Sequence, residues 1–406
     1  MRITHVGPPL MRTGGPAGYL LELRRQAEES GDEVRHRVRF PEPASRPPAR
    51  RSSPPGLSRL RRWKRAVLGP PRLYRPSRDE MNRNGGVIDE LLTRSARDAV
   101  ELCRPTLEAP ADVYFVHDVF VVEAAKAKVG PGDVWLMIHS PMPMGLYLAW
   151  NWGHPECPWQ EIAALPDVRR SIEKELETWR LADRVVLPCP EALEELVRVD
   201  PRFADASATI EYLLSGSSAV SFGPAKDSRD RELLGLFLGS SQAYRGLDVL
   251  FQALALLPDR RELPGQIAIA GPDPDSIPSH PRARKLGRVE DVSSLLAAVD
   301  FLVNTNRFSL FDLSNIEAAA AGKDLLLHAV GGNKTLARLG AGCRLYEPLT
   351  PEALAKRLTE MFSMSRDALV AHGAKSRECY ERHLTAKAMW RRHLDLYDKA
   401  ESRIAV

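Results

Sequence analysis

The sequence predicts an α/β protein of two Rossmann-like series, each a parallel sheet with helices on its faces. Three observations carry this. Short apolar runs alternate with glycine-marked loops and longer helical patterns from the first residues onward. The alternation lapses over Ala219–Asp230, rich in Ser, Gly, Pro and mixed charge, and then resumes, which places an interdomain linker there. Asn304–Gly332, finally, compresses a strand end, a helix and a second strand into one unit closed by two glycines.

Composition narrows the class. At 406 residues the chain can bury two substantial cores. Its 44% hydrophobic and 27% charged residues are those of a globular protein. A net charge of +4 is too small to point to nucleic acid, which is not expected as a partner. Cys103, Cys157, Cys189, Cys343 and Cys379 show no C-x-x-C spacing, so reduced thiols are expected rather than a zinc site. Met1–Val6 already reads as a strand, so no signal peptide is expected. No apolar run approaches the roughly 20 residues that span a bilayer. The expected location is cytoplasmic.

Arg2–Val6 is the first strand, and Gly14-Gly15-Pro16-Ala17-Gly18 leads into a helix from Tyr19 to Ser30. Strand, glycine loop and helix make a β–α unit, although a plain tight turn would use the same glycines. Residues 41–80 break the rhythm with prolines and arginines and read as an insertion. Within it, Leu57–Leu68 sets Leu57, Leu60, Trp63, Val67 and Leu68 on one face of a basic helix. Such a helix can lie on an anionic membrane as a peripheral contact; a loop with solvated arginines gives the same pattern. Val87–Cys103 is a helix. Asp112–Val116 and Val134–Ile138 are strands that run into His117-Asp118 and His139-Ser140. Both imidazoles thus fall at the carboxyl edge of a parallel sheet, where such folds bind ligands. Pro141–Pro158, with Trp150 and Trp152, reads as a loop and short helix. Ile172–Leu181, Arg184–Leu187 and Pro190–Val199 continue as helix, strand and helix.

The second series opens with strand Leu234–Leu238, loop Gly239–Gly246 and helix Leu247–Leu257. Gln266–Ala270 and Val299–Val303 are strands, with a helix over Glu290–Asp300. Ser314 stands three residues before Glu317, a capping-box spacing that opens a helix on Ile316–Ala321 with Glu317 in its first turn. Gly322 ends it, and Leu325–Leu327 is the next strand. A helix N-terminus facing Gly331-Gly332 gathers unpaired N–H groups and the helix dipole, which suits an anion. Pro351–Met361 is a helix. Thr385–Lys399 is amphipathic through Ala388, Trp390, Leu394 and Tyr397. Asp273-Pro274-Asp275 lies in a proline-rich turn and reads as solvated rather than metal-binding.

The second series resembles the retaining glycosyltransferases of the GT-B fold, family 4, whose donor site reads roughly P-S-x-x-E-G-F-G-L-x-x-L-E-A-x-A-x-G. Phe311, Leu313, Ile316, Glu317, Ala318, Ala320 and Gly322 fall in register. The resemblance implies that Glu317 holds the ribose of the nucleotide, with Leu313 and Ser314 beside it. Ser309 stands where the family has a Glu that touches the donor sugar, and Leu310-Phe311-Asp312 replaces Gly-Phe-Gly. GSSQAYRG, residues 239–246, resembles G-R-x-x-x-x-K-G, whose Arg and Lys clamp the donor diphosphate. Arg245 takes the Lys place, and Ser240 or Ser241 that of the Arg. Gly287-Arg288-Val289 resembles the segment whose backbone meets the base. Gly331, Gly332 and Asn333 would lie beside the diphosphate, with Lys334 replacing the missing Arg.

For the first series the resemblance implies that Gly14 and Gly15 contact the reacting sugars and that His139 is a donor-sugar or transition-state contact. His117, Asp118, Trp150 and Trp152 fall on the acceptor side, where flat rings stack on sugars. It further implies an acceptor domain over 1–220, a donor domain over 221–384, sheets facing a central cleft, and a terminal helix, 385–406, that crosses back. The implied reaction moves a sugar from a nucleotide diphosphate sugar to a hydroxyl of a glycan, lipid-linked or natural-product acceptor, with retention. It needs no metal or cofactor, because positive charge and helix N-termini stabilise the leaving diphosphate. Ser309 and the missing Arg keep open a non-catalytic sugar-nucleotide-binding partner subunit, and the architecture also serves sugar-nucleotide epimerases.

Overall fold

The computed structural model describes residues 1–10, 15–31, 36–43, 87–152, 157–207, 209–218 and 231–404. Gly14, the basic segment Leu57–Leu68 and the expected linker lie outside the described residues. The chain divides into one unit of Met1–Val186 with Leu196–Glu211, and a second of Leu187–Glu195 with Tyr212–Val406.

In the first unit β1 (Ile3–Val6) is buried throughout, the polar Thr4 and His5 included, as a strand covered on both faces of a parallel sheet must be. Helix α1 (Pro16–Ser30) follows, with proline preset at its first position and Gly31 in the left-handed conformation closing it. The chain continues through β2 (Val38–Arg39), α2 (Val87–Leu107), β3 (Val113–Val116), α3 (Val122–Val129) and β4 (Asp133–Met137). Next come α4 (Met144–Trp152), α5 (Trp159–Ala163), α6 (Pro166–Leu181), β5 (Arg184–Leu187), α7 (Pro190–Val199) and β6 (Ile210–Tyr212). The sheet order is β2-β1-β3-β4-β5-β6. Its register is parallel, with Ile3 opposite Val113 and Val113 opposite Asp133.

The second unit runs β7 (Leu234–Leu238), α8 (Leu247–Ala255), β8 (Gln266–Ala270), β9 (Ala283–Gly287), α9 (Val292–Ala298) and β10 (Phe301–Asn304). It continues through α10 (Leu313–Ala320), β11 (Asp324–His328), α11 (Gly332–Arg338), β12 (Cys343–Tyr346), α12 (Pro351–Phe362), α13 (Arg366–Cys379) and α14 (Ala386–Ile404). Here the order is β12-β11-β10-β7-β8-β9, the doubly wound arrangement in which the chain returns to the middle of the sheet. Phe237, Leu250, Ile267, Ile269, Phe301, Leu326, Leu358 and Phe362 belong to its core cluster. Each large side chain buried there is worth about 1.5–3 kcal/mol.

Two parallel α/β sheets were expected, and two are present. Strands β2, β6, β9 and β12 and helices α3, α5, α11 and α13 were not anticipated. Within Pro141–Pro158 the expected short helix is α4, Met144–Trp152, and residues 153–156 lie outside the described residues. Among the described residues no helix is long and apolar enough to cross a membrane.

Candidate functional site

Parallel sheets expose a crevice where the strand order reverses, because neighbouring connections leave toward opposite faces. In the second unit this point lies between β7 and β10. The turn after β7 carries Arg245, and the segment after β10 carries Asn304 to Asp312. The two are tied together: Thr305 Oγ1 donates to the Arg245 carbonyl at 2.7 Å, and the Arg307 amide to that of Tyr244 at 2.6 Å.

Asp312 is the hub. Its Oδ1 accepts from Arg245 at 2.6 Å, and its Oδ2 from Asn306 at 2.8 Å and Ser309 at 2.7 Å. The Arg245 guanidinium also lies 4.8 Å from the Tyr244 ring. Asp312 precedes the first residue of α10, yet its side chain makes no capping bond. Ser314 is therefore inside the helix and does not cap it, and Glu317 sits in the second turn rather than the first.

Behind the hub is a buried amide network. Asn304 donates to Asn315 at 3.2 Å, and Asn315 to Asn333 at 2.8 Å. Asn333 in turn donates to the His328 carbonyl at 2.9 Å. Ser309, Asn315 and Asn333 are each at 0% exposure. Ser309 as a donor-sugar contact is thus corrected: its hydroxyl is spent inside the network. Gly331 and Gly332 pack on the loop it anchors, since a Cβ on them would meet the Ser309 and Leu310 carbonyl oxygens at 1.8 and 2.4 Å.

Glu317 differs from all of these. Its carboxyl is half-buried on α10 without a side-chain hydrogen bond among the described residues, and burial pushes it up to about 7. A desolvated acceptor without a protein partner is what a ligand hydroxyl would satisfy. Leu313 and Ser314 flank it, half-buried. Gly287 ends β9, and Arg288 is exposed beside it. Lys334, expected to replace the missing Arg, pairs with Glu194 at 3.1 Å. The Glu195 carboxylate accepts from the Gly331 amide at 3.1 Å. Asp273 caps the turn Pro274–Ser276 through the Asp275 amide.

The first unit reverses its order between β1 and β3. Gly15 starts α1 there, with φ 78°. His117 follows β3 and His139 follows β4, and their rings are hydrogen-bonded at 2.8 Å. His139 is held neutral, its pKa lowered to about 3 by burial, with the Tyr19 ring set edge-on to it at 5.2 Å between centroids. His117 is corrected as an acceptor contact: it is 1% exposed, and both ring nitrogens are bonded to other histidines. Trp150 is likewise packed inside the unit at 2% exposure, which leaves no open face for stacking. Trp152 ends α4, its side chain outside the described residues. Asp118 accepts from the Phe120 amide at 3.0 Å, and burial raises its carboxyl.

Sequence reasoning missed Glu175. It lies in a cavity of about 190 Å³ lined also by Phe120, Met144, Gly145, Ser171 and Lys174. Burial pushes its carboxyl up to about 7, while the Met144 amide donates to it at 2.7 Å. Its position on the inner face of α6 was the available signal, since charged residues are rarely buried there without purpose.

Comparison with known proteins defines a class first. Residues 233–364, within the second unit, match the family described as glycosyl transferases group 1. A D-inositol 3-phosphate glycosyltransferase from Mycolicibacterium gilvum is 29% identical over 206 residues, covering 45% of this chain and 45% of that protein. The match thus spans less than half of that relative. Among solved structures, sucrose-phosphate synthase from Thermosynechococcus elongatus superposes with a TM-score of 0.64 at 16% identity, over 99% of this chain and 100% of that one. Anabaena HepE in complex with UDP-glucose gives 0.58 at 15% identity, over 98% and 100%. These likenesses establish the fold.

Proposed function

We propose that this chain transfers a sugar from a nucleoside diphosphate sugar to an acceptor hydroxyl, with retention at the anomeric carbon and without a metal. The acceptor is a glycan, a lipid-linked sugar or a natural product. The observation that carries the reading is Glu317, a desolvated carboxyl without a side-chain hydrogen bond among the described residues, on the helix that follows the strand-order reversal in the range matched to the glycosyl transferases group 1 family. Its role is to accept from the ribose hydroxyls. The structure of HepE with UDP-glucose supports a uridine diphosphate donor. Arg245, bonded to Asp312 at the cap position of α10, supplies positive charge there, and departure of the diphosphate is eased where that charge and helix N–H groups converge. His139, neutral, offers a hydrogen bond to the reacting sugar.

Calorimetry with UDP, GDP, ADP and TDP tests this. One series should bind, and Glu317→Gln should weaken it by about 1–3 kcal/mol through the lost charged hydrogen bonds. Because Glu317 must be ionised to accept two hydroxyls, binding should strengthen as pH rises through about 7, and Glu317→Gln should flatten that dependence. Unchanged affinity in the variant would remove Glu317 from the site. A second reading, a sugar-nucleotide-binding subunit without turnover, draws on the Arg245–Asp312 pair, which sets a carboxylate beside the expected diphosphate position. Release of nucleoside diphosphate from a sugar nucleotide would dismiss it.

A further inference from the structure

A neutral imidazole carries one N–H and one bare nitrogen, and when buried each needs a complementary partner. In the first unit three imidazoles meet across three neighbouring strands. His5 Nδ1 lies 2.9 Å from His117 Nε2, and His117 Nδ1 lies 2.8 Å from His139 Nε2. His5 and His117 are 0% and 1% exposed, and His139 is half-buried at the sheet edge. The rings are clamped by stacking. His5 lies on Phe40 at 4.7 Å with a 5° interplanar angle, and His117 lies on Phe115 and His139 at 5.2 and 5.1 Å.

Each nitrogen–nitrogen line holds one proton. A neutral chain therefore has two arrangements. In one, Nδ1–H of His5 donates to His117, Nδ1–H of His117 donates to His139, and His139 keeps Nδ1–H to offer outward. In the other, Nε2–H of His139 donates to His117, Nε2–H of His117 donates to His5, and Nδ1 of His139 is a bare acceptor. Mixed arrangements set two lone pairs or two N–H groups face to face at 2.8 or 2.9 Å.

We propose that His5 and His117 are positioning residues: the three-imidazole chain fixes the tautomer of His139, and so decides whether its Nδ1 donates or accepts at the carboxyl edge of the sheet. Interconversion moves one proton along each line, while one leaves Nδ1 of His139 and another arrives at Nε2 of His5 inside the sheet. An imidazolium at that depth is penalised by desolvation, which also keeps His139 neutral down to about pH 3. Passage between the registers thus needs a charged ring or a broken line, so His139 changes tautomer only together with His117 and His5. What His139 meets rests on the glycosyl-transfer reading; the tautomer lock does not.

The test is ¹⁵N-resolved NMR of the imidazoles of the whole protein at neutral pH. The expected result is one shared tautomer, Nδ1–H on all three rings or Nε2–H on all three. A mixed set, or a positively charged ring, would overturn the proposal. His117→Phe keeps a ring on Phe115 and removes the nitrogen that holds Nε2 of His139. It should release His139 into a tautomer mixture and lower kcat several-fold while KM for the sugar nucleotide holds; unaltered His139 resonances would also overturn the proposal. If that variant does not fold, the spectrum of the native chain decides alone. Nucleotide calorimetry run alongside keeps the two readings apart, since absence of nucleotide binding would defeat the proposed function and leave the tautomer result standing.

Discussion

The carboxyl edge of the first sheet is lined with imidazoles, and that of the second with amides and one ion pair. Both edges bury polar groups, and both bond them in chains across neighbouring elements. They differ in what happens when a link is lost. An imidazole can move its proton to the other nitrogen and leave a bare lone pair where a partner is missing. An amide has fixed donors and a fixed acceptor, so a lost neighbour strands both kinds of group. The second edge is therefore the more brittle, and it is also the one that holds a charge pair beside the candidate donor position.

The largest expected effect breaks this comparison if it fails. Asn315→Leu should strand the Asn304 donor and leave the Asn333 acceptor only its 3.4 Å contact from Ser309, and an unpaired buried group costs about 1–3 kcal/mol. His117→Phe keeps an aromatic ring on Phe115 and lets His5 and His139 rearrange their protons, so its cost should be smaller. Urea unfolding of the two variants against the native chain measures the difference. Equal losses would mean that imidazoles at this edge are as rigidly committed as amides.

The next effect concerns charge. The Asp312 carboxylate occupies Arg245 and stands at the N-terminus of α10, where an anionic ligand would dock. Asp312→Asn should raise affinity for the bound nucleoside diphosphate by about tenfold, or about 1.4 kcal/mol, and Arg245→Ala should lower it. Calorimetry gives both signs. A fall in affinity for both variants would show that Asp312 orients Arg245 for the ligand instead of competing with it.

Much of the fold, and part of the candidate site, is legible in the order of residues alone. Strands buried on both faces announce themselves as apolar runs, so β1, β3, β4, β7 and β8 can be placed from sequence, as can Glu317 from a local motif. The edge networks cannot. His5 lies inside a strand, and nothing local reveals that His117 and His139 come to stand in line with it; that is a consequence of strand order. Trp150 shows the opposite failure, because aromatic content does not say whether a ring faces the core or the solvent. Strands β9 and β12, with their partly exposed and charged positions, lack the apolar signature altogether. Ser309 and Asp312 mark departures from a motif, but only the geometry shows that they bond to each other and to Arg245 and Asn306.

The smallest effect sharpens the point about α10. The spacing of Ser314 and Glu317 suits a capping box, yet the cap position falls two residues earlier, at Asp312, with that carboxylate turned to Arg245. Helix α13 is the ordinary case in the same unit: Ser365 Oγ accepts from the Ala368 amide at 3.2 Å. Ser365→Ala should therefore cost about 1 kcal/mol, the usual worth of a cap. Ser314→Ala removes no capping bond and, at a half-buried helical position, should stay within about 0.5 kcal/mol of the native chain. Thermal unfolding of the pair reads the contrast directly. If Ser314→Ala costs as much as Ser365→Ala, then Ser314 does cap α10, Asp312 is not the residue that opens that helix, and the Arg245–Asp312 pair loses its place at the mouth of the candidate donor site.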